Sequence, residues 1–361
     1  MDTATVLLRS DYKLPEIKSL PVFNLNHIIS LTDDTGIIQH AIFNIPNRKE
    51  GYCIDDNARA LLLMVLASKD EKNEVAARLL PIYLSFVHYM QTSTGEFKNF
   101  MNYDKSCFEE KGSEDSFGRT VMALGYLINK GTSTALVKAG TDMFLKAYRN
   151  IEKLESIRGI ANAMVGVCQF IKYNYPDDLK TNLVIKLADK MVAMYAENCR
   201  DDWSWFEPVI TYDNAILPLA LLNAYEVTND ENYLTVAFES MQFLESKVFY
   251  KNILRPVGNE GWLKRGGVAA QFDQQGIDAM AMILFYSQAF RITREYVNVN
   301  KMNKCYQWFL GKNDLKVSLY DPHSGGCADG LHSEGINLNQ GAESTLSFLI
   351  SHVVLVTALK E

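Results

Sequence analysis

The chain has no run of basic residues and no excess of positive charge. Among its 361 residues are 36 Lys and Arg against 43 Asp and Glu, a formal net charge of −7. An acidic balance without a basic patch lacks the electrostatic footprint of a nucleic-acid binder or of a protein drawn to anionic lipid. Cysteine is sparse: Cys53, Cys107, Cys168, Cys199, Cys305 and Cys327 are scattered, with no CxxC spacing and no Cys/His pairs at zinc-site distances. That pattern excludes a disulfide framework and a zinc module, and it fits free thiols in a reducing, cytoplasmic setting. No metal and no cofactor is expected. A Gly-rich phosphate loop followed by Lys is missing, as is a GxSxG elbow, so nucleotide and serine-hydrolase chemistry find no support. The longest unbroken apolar run, Ala279 to Tyr286, is too short to span a bilayer, and the charged N-terminal stretch is not a signal peptide.

What the chain does have is one pattern written six times. A short polar phrase runs directly into an apolar helix: CIDDNARALLLMVLA from Cys53, EDSFGRTVMALGYLI from Glu114, IRGIANAMVGVCQFI from Ile157, TYDNAILPLALLNAY from Thr211, DQQGIDAMAMILFYSQAF from Asp273 and NQGAESTLSFLISHVVL from Asn339. Self-similarity at such a period marks a repeat architecture. Between the apolar helices lie amphipathic ones, predicted over 71–90, 135–150, 180–196, 231–246 and about 300–311. Helices apolar on every face must be buried on both sides, whereas amphipathic ones face water on one. The alternation predicts an all-α protein, an (α/α)6 toroid of six helical hairpins with short strands only in loops. Residues 1–36 would form an N-terminal lead and first outer helix packing on the toroid, and 37–361 the toroid itself, one domain overall. Strand-like segments are expected at 97–103, 249–257 and 317–321.

All six polar phrases then sit at one end of the inner helices, and the chemistry is expected there. Asp55 and Asp56 open the first inner helix, where capping alone explains one Asp but not two followed by Asn57 and Arg59. Glu207, Tyr212, Asp213 and Asn214 stand among Trp203, Trp205 and Phe206. Flat rings beside carboxylates and amides suit a sugar, whose C–H faces stack while its hydroxyls take bidentate partners. The weaker, competing reading has Asp213 as a helix cap and the Trp residues as core. Trp262 and Arg265 are candidates for the lip of the lumen, and Asp273 and Gln274 precede the fifth inner helix. Asp278, inside an apolar helix, needs a partner. Before the last helix come His323, Asp329, His332, Gln340 and Glu343. Arg119 follows Asp115 in the second phrase, where a plainly capped helix is the stronger reading.

The phrases YCIDDNARAL, WFEPVITYDNAILPLALL and GGCADGL…NQGAESTL resemble those of a bacterial group of six-hairpin glycosidase-like (α/α)6 toroids. Members of that group occur alone or joined to glycosyltransferase domains, in settings concerned with mannose-containing glycans. The likeness runs from about Ile37 onward. It implies a carbohydrate-active protein whose partner is an oligosaccharide or glycan, with a glycosyltransferase or a second copy as further partners. The leading expectation is an inverting glycoside hydrolase acting on a small, mannose-containing oligosaccharide. Inversion needs a carboxylic acid and a carboxylate about 6.5–9.5 Å apart, drawn from Asp55, Asp56, Glu207, Asp213, Asp273 and Glu343. Glu207, flanked by aromatics, is the expected acid because desolvation raises a carboxyl's pKa. Asp56, beside Arg59, is the expected base. Two alternatives stay open: a sugar epimerase or isomerase moving a proton through His323 or His332, and a non-catalytic glycan-binding or accessory module serving a glycosyltransferase. Arg59, Arg119 and Arg265 are the residues to suspect if phosphate replaces water.

Overall fold

A computed structural model describes Tyr12, residues 14–68, 73–107, 109–174 and 178–361. Among them are twelve α-helices: α1 (Asn26–Leu31), α2 (Ile54–Ala67), α3 (Glu74–Met90), α4 (Glu114–Lys130), α5 (Thr134–Ile151), α6 (Ile157–Asn174), α7 (Asp178–Asn198), α8 (Ile216–Thr228), α9 (Glu231–Val248), α10 (Gly276–Thr293), α11 (Tyr296–Phe309) and α12 (Ala342–Lys360). The even-numbered helices from α2 to α12 each pack on the next, and α12 packs back on α2, which closes a ring. The odd-numbered helices α3 to α11 lie outside, each against the inner helix that precedes it. This is the (α/α)6 toroid expected from the sequence. The first two residues of the amphipathic stretch predicted from Glu71 lie outside the described residues.

The burial of each helix follows from its composition. Nearly every residue of α2 and α10 is buried, including their polar Asn57 and Gln288. The sixth pair is made from distant parts of the chain, because α1 packs on α12. His27 fixes that closure through its Nε2, 2.7 Å from the carbonyl of Gln340. Helix α12 is long and apolar enough to cross a membrane by length and composition, yet 72% of its apolar window is buried inside the protein.

Between α4 and α6 the backbones approach closely, for a reason visible in the sequence. Gly118 and Gly125 recur seven residues apart on α4, as do Gly159 and Gly166 on α6. A Cβ on Gly118 would strike the carbonyl of Gly159, and one on Gly125 the carbonyl of Gly166. Small residues at heptad spacing let two helices touch without side chains between them.

The strands are two or three residues long and lie in the loops at the polar end of the ring. Phe100–Met101 pairs with Tyr52–Cys53, and Phe249–Tyr250 with Ile253–Leu254, within stretches predicted as strand-like. Residues 317–321 form only an isolated bridge, from Tyr320 to Cys327. Two hairpins were not foreseen: Ala41–Ile42 with Ile45–Pro46, and Gly330–His332 with Gly335–Asn337. All six cysteine thiols are free.

Overpacking a tight core contact costs roughly 1–3 kcal/mol. Gly125→Val is therefore expected to lower the midpoint of thermal unfolding by several degrees. Val268→Ser, at a side chain 93% exposed, should leave it within a degree or two. Equal midpoints for the two variants would show that the α4–α6 contact is not close-packed.

Candidate active site

The lumen at the N-terminal ends of the inner helices holds two adjoining cavities. One, of about 370 Å³, is lined by Asp55, Asp56, Arg59, Asp273, Asp329 and Glu343 among others. The second, of about 290 Å³, is lined by Asp55, Asp115, Arg119, Tyr212 and Glu343, with Ser113, Gln275 and Ile277. Asp55, Gln275 and Glu343 belong to both. A larger cavity, of about 570 Å³, lies at the opposite mouth, but its floor is Leu62, Leu66, Leu219 and Leu284 and its one carboxylate is Glu361. Volume alone does not select the site; the gathering of carboxylates does.

The aspartate side chains do not cap their own helix, because another residue does. Cys53 is the N-cap of α2, its sulfur accepting the backbone N–H of Asp56 at 3.4 Å. Asp55 faces the lumen with its side chain 27% exposed and takes a 2.8 Å ion pair from Arg119. Its Oδ1 has no hydrogen-bond partner among the described residues. Asp56 points inward. It is 5% exposed, takes 3.1 Å from Arg59 Nη1, and accepts the Cys53 thiol at 3.0 Å. Burial pushes its carboxyl up to about 6, against the pull of Arg59. The expected base is therefore a carboxyl that holds its proton more readily than an ordinary aspartate does.

Three arginines order the rest. Arg59 spans Asp56 and Glu343, the latter at 2.9 Å in an ion pair whose alignment falls short of a hydrogen bond. Arg119 spans Asp55 and Asp213, at 2.8 and 3.1 Å. Burial works against its charge, and the two aspartates hold it protonated. Arg158 joins Glu207 at 2.9 Å, the carbonyl of Tyr212 at 2.8 Å and the hydroxyl of Thr211 at 2.7 Å. Arg158 was not among the residues expected from the sequence.

Several expectations are corrected. Glu207 is not a lone carboxyl among aromatics, because the guanidinium of Arg158 pairs with it, and it does not line the lumen cavities. Trp203 and Trp205 are 3% and 0% exposed. They pack on Phe243, so they serve the core rather than a sugar. Arg265 donates to Asn198 and lies over the Trp203 ring, away from the lumen. Gln274 is buried against Trp308 and Asp314, and its neighbour Gln275 lines the cavities instead. Asn57 is sealed in by the loop at Ile37, whose N–H it accepts at 3.0 Å. Gln340 accepts Ser324 and donates to Asp321. His323 is an exposed turn residue whose backbone N–H donates to Asp321.

The remaining residues stand at or behind the cavity wall. Tyr212 lines the smaller cavity, its hydroxyl donating to Asp115, with Trp262 tilted against its ring at 6.1 Å. Burial and that bond hold the phenol above its ordinary range. Asp115 also accepts Ser156 at 2.5 Å, which makes it more than a first-turn capping acid. Asp329 is raised by burial, while the Gly341 N–H it accepts at 2.8 Å works the other way. Asp273 lines the larger cavity and pairs with His332 Nδ1 at 3.0 Å. Asp213, held at a positive φ of 50°, is 4% exposed and sits behind Arg119. Its neighbour Asn214 donates a side-chain hydrogen bond of 3.1 Å to Asp278 Oδ1. Burial, reinforced by the charge of Asp213, pushes Asp278 up to about 7. No group of three or more His, Cys, Asp or Glu among the described residues is arranged to hold a metal ion.

No family model matches the chain, and no curated protein matches it by sequence. Solved structures do match in fold. Cellobiose 2-epimerase from Bacillus thermoamylovorans superposes with a TM-score of 0.69 at 11% identity, over 91% of this chain and 95% of that one. A family 76 glycoside hydrolase, an α-mannanase of Bacteroides thetaiotaomicron, gives 0.65 at 12% identity over 93% and 94%. An inactive variant of an α-1,6-mannanase of Salegentibacter sp., with two consecutive aspartates changed to alanine and α-1,6-mannotetrose bound, gives 0.63 at 11% over 93% and 96%. The chain thus has the (α/α)6 fold that these carbohydrate-active enzymes share.

Two tests follow from the buried charges. Removing one partner of a buried ion pair costs about 3–5 kcal/mol. Arg119→Met, which strands Asp55 and Asp213, should lower stability by that order in denaturant unfolding. A loss below about 1 kcal/mol would mean that solvent already screens the pair. For Asp278 the folded pKa, about 7, lies above the unfolded value of 3.8, so the folded state binds more protons between them. Stability therefore falls as pH rises through that window. Asp278→Asn keeps the acceptor for Asn214 and removes this loss. Its stability relative to the parent should rise by on the order of 2–4 kcal/mol between pH 4 and pH 7.5. A difference independent of pH would contradict a proton held at Asp278.

Proposed function

We propose that this protein is a carbohydrate-active enzyme, a glycoside hydrolase working on an oligosaccharide held in the toroid lumen. The observation that carries the reading is the consecutive pair Asp55–Asp56 on the cavity wall, with Asp273 and Glu343 lining the same space. Two aspartates side by side are also the residues replaced in the inactive mannanase of the same fold.

Glycoside hydrolysis asks for one carboxyl that carries a proton to the leaving oxygen and one that stays charged. Asp56, raised by burial to about 6, suits the first role, since a general acid is most useful when its pKa lies near the working pH. Asp55, paired with Arg119 and with one oxygen unpartnered, suits the second. Glu343 and Asp273 supply acceptors for sugar hydroxyls, and Tyr212 with Trp262 supplies an apolar flank. Mannose-containing chains are the first substrates to try, and inversion is the expected stereochemistry.

A second reading rests on His332. Its Nδ1 faces Asp273, which would leave Nε2 to exchange a proton beside a carbonyl, as a sugar epimerase or isomerase requires. One experiment in deuterated water separates the readings. Linear manno-, gluco- and uronate-containing oligosaccharides are incubated with the protein, with and without phosphate. Hydrolysis predicts shorter products, and a fall of at least about 10²-fold in turnover for Asp55→Asn and Asp56→Asn, measured on protein that is still folded at the assay temperature. Deuterium entering the sugar without cleavage, abolished by His332→Ala, would establish the second reading. A raised melting temperature with no product would point to an accessory glycan-binding module.

A further inference from the structure

The large apolar side chains left exposed are not spread evenly. Ile42, Phe43, Ile45, Phe100, Tyr103 and Leu338 gather on the segments that frame the polar mouth of the ring. Contiguous exposed apolar surface on a folded protein marks a place where something binds. Here the segments are tied together. The hairpin 41–46 reaches the last polar phrase through Phe43, whose N–H donates to Asn339 Oδ1 at 2.9 Å and whose carbonyl accepts the N–H of Gln340 at 2.8 Å. Phe43 is held there at a φ of 53°, a conformation disfavoured for a bulky residue, with its side chain 57% exposed. Phe100 pairs with Cys53, the cap of the aspartate helix, lines the larger lumen cavity, and is 47% exposed. Tyr103, 43% exposed, stacks on Tyr52 at 6.2 Å with Arg48 over its ring at 5.9 Å.

We propose that Phe43, Phe100 and Tyr103 form a platform for the sugar residues of the substrate that extend out of the lumen, so that the preferred ligand is a glycan chain rather than a mono- or disaccharide. The inference rests on the reading of the lumen as a carbohydrate site. Continuity favours a substrate over any other occupant, because Phe100 is wall to both the carboxylate cavity and the mouth. A protein or membrane seated on this rim would stand across the mouth of the cavity that Asp55 lines. Polar groups that share the cavity wall with Phe100 suit hydroxyls: Gln39, His40 and Asn337.

The test uses the full chain carrying Asp55→Asn, so that no sugar is consumed, and titrates two pairs of probes: α-1,6-mannobiose against α-1,6-mannotetraose, and cellobiose against cellotetraose. In one of the two series the tetrasaccharide should bind at least several-fold more tightly than the disaccharide. Phe43→Ala and Tyr103→Ala should each weaken the tetrasaccharide by about three- to tenfold. Both should leave the disaccharide within twofold and the melting temperature unchanged. Equal effects on both lengths, or none on the longer, overturn the platform while the glycan reading stands. Binding of none of the four overturns both. A wild-type dimer that Phe43→Ala disperses overturns the platform in favour of an interface.

Discussion

Everything at the polar end of this ring depends on guanidinium groups placed where helix physics disfavours them. Arg59, Arg119 and Arg158 lie in the opening turns of three successive inner helices, at the positive end of each macrodipole and nearly out of contact with water. Each is tolerable only because carboxylates converge on it, Asp56 from the same helix and the rest from other elements: Asp56 and Glu343, Asp55 and Asp213, Glu207. The dependence is mutual, since those acids could not crowd into a half-buried lumen without the cations. The arginines therefore set which oxygens are engaged. Asp55 Oδ1, itself buried, is left without a hydrogen-bond partner among the described residues.

Outward from the arginines, the wall is organised in two tiers. Asp213, Asn214 and Asp278 form a buried tier that fixes the strained turn before α8 and keeps a carboxyl raised to about 7 next to Asp213. Asp55, Asp115, Asp273 and Glu343 form the tier that meets the cavity. Carboxyls of the same kind are thus divided by their surroundings into structural and available sets. The pair proposed for hydrolysis, Asp55 and Asp56, draws one carboxyl from the second set and one from its boundary.

The fold was legible because burial leaves a plain trace: helices apolar all round alternate with amphipathic ones, and a polar phrase opens each inner helix. The cluster at Asp55, Asp56, Arg59 and Glu343 was legible for the same reason, since two acids and a base exceed what capping needs. The errors came from residues whose composition reads the same in two environments. Trp203 and Trp205 beside Glu207 look like a sugar platform, yet rings next to an acid also describe a core edge closed by an ion pair. Gln274 and Gln275 cannot be told apart until the backbone sends one inward. Arg158 was passed over because its own phrase contains no acid; its partner Glu207 lies 49 residues further along the chain. The recurrence of Arg within the first two turns of α2, α4 and α6 was the available signal, and only the ring shows why it recurs.

The ring is fastened where α1 and α12 meet, with His27 and Gln340 separated by 313 positions. That clasp sets an order of events during synthesis. Asp55 and Asp56 emerge from the ribosome well before Asp329 and Glu343, and the lumen has no sixth wall until α12 arrives. Until then the apolar flanks of α2 and α10 that α12 covers stay uncovered, and a nascent chain must wait with them open. Contacts this distant make the last step slow relative to the local pairing of each hairpin. The carboxylate cavity is therefore among the last parts of the molecule to come into existence, and a chain cut before α12 would carry the aspartate pair without the pocket around it.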